Sequence, residues 1–297
     1  MRGLPAGRTL PLPGGSPEGA VVDPGTGLLA VALRDPDRVA LLDTASGQVR
    51  TVATPGAARH LSSAGPGELL LSAENTDVLA RMSLPGGAIS EQVQVGRQPH
   101  DAAPLGRTLF VSNESGGTLG VVQDGRMVQE IPGFAQPGGL AVAGDRVVAV
   151  DVRANTLHVV DARTLREIAV LPAGAGPSHV RPIGPGRVAV ADTRGNAVLT
   201  FQVSGTPGEI GRYPVAGRAY GISADPRRGL LYTALSNTNQ VVRWRIGPDG
   251  SLRDPRPLPT VRQPDDVAVD PRTGTAYVVG RADAQVQELP ASAFGPL

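Results

Sequence analysis

The sequence predicts an all-β protein: a seven-bladed β-propeller of four-stranded blades, whose ring is closed by the N-terminal strand joining the last blade. Three observations support this prediction: a repeat of about 41 residues, a composition rich in turn-forming residues, and a last repeat that lacks a convincing fourth strand. One four-stranded blade takes about 40 residues, so seven such repeats fill a chain of 297 residues.

The repeat is marked by a turn that precedes the first strand of each unit, as in "RQPHDAAP" and "RQPDDVAVD". Its anchor residues are Pro17, Ala58, Pro99, Pro137, Pro177, Ala219 and Pro264, at successive spacings of 41, 41, 38, 40, 42 and 45 residues. The predicted blades span residues 15–56, 57–96, 97–134, 135–174, 175–217, 218–261 and 262–297, the last completed by residues 1–14. The whole chain is therefore expected to form a single propeller domain.

Within each unit, a first strand of small apolar residues follows the anchor, for example at residues 20–22 and 140–142. A turn such as "DPGTG" or "DPRTG" leads to a second strand, a polar turn to a third, and a further turn to a fourth. Small residues fit the crowded axis of a propeller. The nearly continuous apolar runs of the middle strands indicate sheets that are covered on both faces by neighbouring blades.

The two ends of the chain predict how the ring closes. The last unit ends in "PASAFGPL", which is poor as a fourth strand, whereas "GRTLPLPGG" at residues 7–15 precedes the first anchor as "GQVRTVATPG" precedes the second. We therefore expect the N-terminal segment to pair with the last blade, because this would cover an otherwise exposed sheet edge.

Composition narrows the function classes. The net charge of +1, without a basic stripe interleaved with aromatic residues, argues against nucleic-acid binding. The chain has no cysteine, which excludes disulfides and thiol nucleophiles, and no apolar run long enough to span a membrane. We expect a monomer that binds a small molecule or a protein. The N-terminal residues do not resemble a signal peptide, which leaves two alternatives open: a cytoplasmic protein, or an exported one in which Met1 stands in place of a removed export signal.

The two residues after each anchor are expected to meet at one mouth of the central channel, together with the turns between second and third strands. Three of the four histidines fall in these anchor positions, while His158 lies mid-strand and is expected to be structural. The catalytic candidates are His60, His100, Asp101, His179 and Asp266, and four of them, His60, His100, His179 and Asp266, are the metal candidates. The ligand-binding candidates are Glu18, Arg59, Tyr220 and Asp265 at the anchors, and Glu114, Arg153, Arg194 and Arg281 in the turns, which also contain Glu74.

The segments "VALLDTASGQVRTVATPG" and "LHVVDARTLREIAVLPAGAGPSHV" resemble the YVTN (surface-layer type) β-propeller repeat, and "RTLFVSNESGGTLGVV" matches its name-giving part. Blades five and six resemble the seven-bladed lactonase family. The resemblance implies the fold over essentially the whole chain, and it favours an exported protein if a signal has been removed. Enzymes of the lactonase group use His, Arg and Glu in the channel, with the arginine after the anchor proline. Only Arg59 matches that position, in a unit where alanine replaces the proline.

Two functions remain open from the sequence. One is a rigid scaffold that holds a small polar ligand or a protein partner at the mouth. The other is a lactonase-like, lyase or metal-dependent hydrolytic enzyme that uses the His/Asp cluster. The sequence does not decide whether such an enzyme would use a divalent metal ion as its cofactor. The histidines also have a purely structural explanation, because a Pro-His pair often starts the inner strand in this type of repeat.

Overall fold

The computed structural model of the chain describes residues 6–295, and it confirms the predicted fold class. The described residues form 28 β-strands in seven antiparallel four-stranded sheets, plus one short 3₁₀ helix, η1, at Ala291–Phe294. Residues 1–5 and 296–297, which the sequence assigns to the seventh blade, lie outside the described residues.

Each blade is a meander in which consecutive strands pair from the channel outward. The N-terminal strand is β1 Arg8–Pro11. Blades one to three contain β2 Ser16–Val22, β3 Leu28–Arg34, β4 Arg38–Asp43, β5 Val49–Ala53; β6 Ala58–Gly65, β7 Glu68–Ala73, β8 Val78–Ser83, β9 Ala88–Gln94; β10 Pro99–Leu105, β11 Thr108–Asn113, β12 Thr118–Gln123 and β13 Arg126–Pro132. Blades four and five contain β14 Pro137–Ala143, β15 Arg146–Asp151, β16 Thr156–Asp161, β17 Arg166–Pro172; β18 Pro177–Gly184, β19 Arg187–Asp192, β20 Ala197–Gln202 and β21 Gly208–Pro214. Blades six and seven contain β22 Ala219–Asp225, β23 Leu230–Leu235, β24 Gln240–Ile246, β25 Leu252–Pro259; β26 Pro264–Val269, β27 Ala276–Gly280 and β28 Gln285–Leu289.

The ring closes as the sequence predicts, because β1 is the outermost strand of the last blade. It pairs antiparallel with β28, from Arg8 opposite Glu288 to Pro11 opposite Gln285. The backbone N–H of Leu12 then donates a 2.8 Å hydrogen bond to the carbonyl of Ala284. The two ends of the chain therefore share one sheet, and the edge of β28 is covered.

The core lies between the blades. The two middle strands of each blade are buried on both faces, and the apolar clusters that they form join neighbouring sheets, as where Val150 and Leu157 of blade four pack with Val190 and Leu199 of blade five. This explains the continuous apolar runs of the middle strands. The outermost strands are largely exposed, as in β13 and β17. In the part of the chain that the structure describes, no helix has the length and apolar character needed to span a membrane.

Candidate functional site

Every inner strand begins with a β-bulge next to its anchor residue. In β10, Pro99 pairs with Asn113 and Asp101 pairs with Ser112, so that His100 is an additional residue. The register shifts at the same place in the other six inner strands. A bulge interrupts the alternation of side chains and redirects them. The residues after the anchors can therefore converge at one end of the channel, which we call the mouth.

Three of the predicted site residues, all histidines, pack against one another at the mouth. The rings of His60 and His100 are stacked with centroids 4.6 Å apart, and the ring of His179 meets that of His60 edge-on at 4.7 Å. Tyr220, another predicted residue, lies edge-on to His179 at 4.5 Å. These side chains come from blades two, three, five and six, and together they fill the centre of the ring.

The histidine cluster is buried and uncharged. The relative exposures of His60, His100 and His179 are 3%, 6% and 1%. Burial lowers the pKa of His100 to about 4, with the charge of Arg59 adding to the effect. Burial also holds the pKa values of His60 and His179 well below the ordinary value, with further contributions from the adjoining histidines and from Arg181 and Arg59. The three imidazoles are therefore neutral at pH 7, a state in which each offers one donor and one acceptor nitrogen.

Several ring nitrogens of this cluster have no hydrogen-bond partner among the described residues. Within residues 6–295, no hydrogen-bond partner is present for either ring nitrogen of His60, for Nδ1 of His100 or for Nε2 of His179. Nδ1 of His179 lies 3.0 Å from the hydroxyl of Ser178. Buried polar groups in folded proteins are normally paired, so these nitrogens make the histidine cluster a candidate binding site.

Charged side chains surround the cluster on the side of blades one, two and seven. Arg34 donates a 2.8 Å hydrogen bond to Glu18 and a second, short one to Glu74. Nε of Arg59 lies 3.0 Å from Oε1 of Glu74, and Nη2 of Arg281 lies 3.3 Å from Oε1 of Glu18. Sequence reasoning missed Arg34, although its position as the last residue of β3, at the mouth end, was a usable signal.

Two acidic groups near the mouth have raised pKa values. Burial raises the pKa of Asp265 to about 7, and the nearby charges of Asp266 and Glu18 add to this. Burial likewise raises the pKa of Asp266 to about 6. The pKa of Tyr220 is raised to about 12, chiefly by burial and then by Asp265. A carboxylic acid that titrates near neutral pH is suited to donating or accepting a proton.

Asp101 and Asp266 accept hydrogen bonds from the backbone of neighbouring blades. Oδ2 of Asp101 accepts a hydrogen bond from the N–H of Leu140, and Oδ2 of Asp266 accepts one from the N–H of Ala20. Asp101 also accepts a 3.2 Å hydrogen bond from Arg181. Their hydrogen bonds join inner strands, so a structural role is visible for both. Sequence reasoning missed Arg181, although a charged residue in an inner strand of otherwise small or apolar side chains was a signal.

The channel continues beyond the histidines as a cavity of about 320 Å³ lined by the inner strands of all seven blades. Its lining is mostly apolar, with Arg181, Asp266 and the hydroxyls of Ser62, Ser63 and Ser223 as the polar groups. This cavity lies on the far side of the histidine cluster from the mouth.

The remaining predicted residues are Glu114, which lies beside His100, and Arg153 and Arg194, which lie on the surface. Oε1 of Glu114 accepts a 2.6 Å hydrogen bond from Gln136. Arg194 is exposed and donates hydrogen bonds to the backbone carbonyls of Ala175 and Val152. Because Val152 belongs to blade four and Arg194 to blade five, the second bond connects these two blades. Arg153 is exposed. Outside the mouth, His158 lies 2.6 Å from Glu167 and packs on Phe134, in keeping with its expected structural role.

The geometry favours one set of metal ligands among the described residues. One ligand atom each of Glu74, His100 and Glu114 lie within 4.8 Å of one another. This set shares only His100 with the set predicted from the sequence. His60 and His179 are not part of this group, and Asp266 accepts hydrogen bonds from the backbone N–H groups of Ala20 and Val267.

The same fold occurs in solved structures of diverse proteins. A chain of a mitotic checkpoint complex superposes with a TM-score of 0.83 at 14% identity, over 97% of this chain and 91% of that one. The WD40 repeats of RRP9 give 0.80 at 15% identity, over 95% and 96% of the two chains. A catalytically inactive histidine-to-alanine variant of virginiamycin B lyase from Staphylococcus aureus, with quinupristin, gives 0.77 at 15% identity, over 95% and 98%. At these identities the likeness shows the fold alone. No protein-family model matches the chain, and no curated protein does.

Proposed function

We propose that the protein is a binding scaffold that holds a small polar ligand with an anionic group at the mouth. The observation that supports this most strongly is the position of Arg59. Its side chain is 34% exposed, while its charge acts on the buried rings of His60 and His100 beneath it. A partly desolvated guanidinium that remains accessible is a strong site for a carboxylate or a phosphate, because its donors match the geometry of these groups.

The neighbours of Arg59 supply the rest of the proposed site. Its Nε is close to Glu74, but within residues 6–295 it makes no well-directed hydrogen bond, so its donors are not fully used. The unpaired nitrogens of His60 and His179 and the half-buried phenol of Tyr220 would contact the polar body of the ligand. A small molecule suits this arrangement better than a protein partner, because the unpaired nitrogens are buried in the centre of the ring.

Saturation-transfer NMR with a panel of small carboxylates and sugar phosphates tests this proposal. The unaltered chain is expected to bind at least one compound of the panel, and Arg59→Met to lose that binding. Arg107→Met is the matched control, because Arg107 is highly exposed in a turn at the other end of the blades and pairs only with Asp124 among the described residues. If nothing in the panel binds, or if Arg59→Met binds as well as the control, the proposal is wrong.

An enzymatic function is the second candidate, and Asp265 is the observation that favours it. A carboxylic acid with a pKa of about 7, close to the phenol of Tyr220, which itself packs on the neutral imidazole of His179, resembles a general acid or base. We propose a lyase-like or lactonase-like reaction as this alternative. We also propose that the blades derive from a YVTN-type repeat. Incubation with simple lactones and with quinupristin, followed by mass spectrometry, would detect ring opening. Turnover should fall at least about tenfold in Asp265→Asn, and an unchanged rate would count against this role.

A further inference from the structure

Three potential metal ligands meet where blades two and three adjoin at the mouth. Glu74 follows β7 in blade two, whereas His100 lies in the bulge of β10 and Glu114 follows β11, both in blade three. One ligand atom from each lies within 4.8 Å of the other two. Glu74 and His100 are each 6% exposed, so the site is largely shielded from solvent.

Each of these side chains also has an atom that makes no well-directed hydrogen bond within the described residues. Glu74 accepts from Arg34 through Oε2, and Glu114 accepts from Gln136 through Oε1. Among the described residues, the second oxygen of each carboxylate, like Nδ1 of His100, is buried without a hydrogen-bond partner. Outer hydrogen bonds that orient a carboxylate while its other oxygen stays available are the usual surroundings of a metal ligand.

The geometry points to a divalent-cation site formed by Glu74, His100 and Glu114, which takes a first-row transition ion such as Zn²⁺ or Mn²⁺. Two carboxylates and one imidazole suit these ions, whereas Mg²⁺ and Ca²⁺ prefer oxygen ligands alone. Tetrahedral Zn²⁺ needs ligand atoms about 3.3 Å apart, so modest side-chain rotations would close the site. Three protein ligands leave a position for water or for a bound molecule.

Arg34 and Arg59 are the positive groups that oppose a cation here, because both pair with Glu74. The side chain of Arg59 is the more exposed of the two, at 34% against 22% for that of Arg34. Nε of Arg59 lies 3.0 Å from Oε1 of Glu74, in an ion pair without an aligned hydrogen bond. Because Arg59 is partly exposed, it can swing away from Glu74 when the ion enters. Removing its charge should therefore strengthen cation binding, an effect opposite in sign to the loss expected for the proposed ligand of the mouth. The cation site goes beyond that proposed function and does not depend on it.

Isothermal titration calorimetry with ZnCl₂ on the chelator-treated full chain tests the site. We expect one ion per chain, a loss of affinity of at least about tenfold in Glu114→Gln, and tighter binding in Arg59→Met. Asp124→Asn is the matched control, because it removes the same charge from the same blade in an exposed turn between β12 and β13. It is expected to bind zinc as the unaltered chain does. The background should be low, because the chain has four histidines and no cysteine.

Mn²⁺ titration followed by electron paramagnetic resonance repeats the test on the unaltered chain, so the result does not depend on a variant that folds. The free-ion signal should be lost up to one equivalent and restored by Zn²⁺. The site is wrong if zinc does not bind stoichiometrically, or if Glu114→Gln and Asp124→Asn bind it equally. Carboxylate binding without zinc binding contradicts the cation site alone, and the reverse result contradicts the proposed function alone.

Discussion

Asp101 accepts a 3.1 Å hydrogen bond from the backbone N–H of Leu140, which belongs to the inner strand of the next blade. Asp266 makes the equivalent contact at 2.9 Å with Ala20, across the junction between the last and first blades. The position that the sequence analysis selected for chemistry therefore also joins inner strands. A catalytic role for either aspartate stays a prediction, whereas the hydrogen bonds between blades are a feature of the fold.

Asp101→Ala is expected to lower the free energy of unfolding by about 2–4 kcal/mol. The substitution leaves the N–H groups of Leu140 and Ala102 and the guanidinium of Arg181 without their acceptor. Urea unfolding measures the change. The control is Asp124→Ala, whose carboxylate is 72% exposed and should matter little. Equal stability of the two variants would refute a structural role for Asp101.

Gly139→Ala should destabilise the protein by about 1–3 kcal/mol, because adjacent inner strands pack backbone to backbone. A Cβ at Gly139 would lie 2.8 Å from Cα of His179 and 2.9 Å from the carbonyl oxygen of Ser178, neither of which can yield easily. Gly208→Ala is the control, since no described atom lies within 4 Å of the added carbon. Thermal unfolding of the two variants separates this packing effect from the general effect of replacing glycine. A melting temperature for Gly139→Ala equal to that of Gly208→Ala would contradict the expected clash.

Deletion of residues 1–11 should lower the melting temperature by at least about 5 °C. The truncated chain loses the strand that pairs with β28 and exposes the edge of the last blade. Differential scanning calorimetry gives the comparison. Arg8→Ala in the full chain keeps the strand and removes only exposed contacts, an ion pair with Glu288 and a hydrogen bond to the carbonyl of Thr44, so it should melt close to the unaltered protein. If the truncated chain melts with the full-length protein, the closing strand does not stabilise the ring.

Asp265→Asn should stabilise the protein at pH 8 and have little effect near pH 4. The pKa of Asp265 is raised from 3.8 to about 7, mainly by burial, so the folded state binds a proton that the unfolded state has released. The stabilisation that comes from this protonated carboxyl group is complete below pH 4, and it is lost as the pH rises through 7. At about 1.4 kcal/mol per pKa unit, the gain at pH 8 is up to about 4 kcal/mol.

Urea unfolding at pH 4, 6 and 8 measures this dependence. Asp283→Asn, a change in the same blade at a more exposed acid, controls for the loss of one negative charge. A difference between Asp265→Asn and the unaltered chain that is the same at pH 4 and pH 8 would show that Asp265 does not titrate as described.

Much of the architecture was predictable, because its causes are local. The spacing of the anchors gives the number of blades, and the apolar runs give the buried middle strands. The contents of the mouth were predictable only in part. The approach of His60, His100, His179 and Tyr220 follows from their places after the anchors, while the pairing of Arg34 with Glu18 and Glu74 and the position of Arg181 in the channel do not.

The sequence by itself determined that seven equivalent units place the residues after their anchors at one end of a common axis. Only the tertiary structure decided which of those residues face one another, because that depends on the rotation between blades and on the bulge that redirects each side chain. Glu74 lies 26 residues before His100 and 40 before Glu114, and no local pattern links the three. Their ligand atoms meet because blade two packs beside blade three, which is a property of the closed ring.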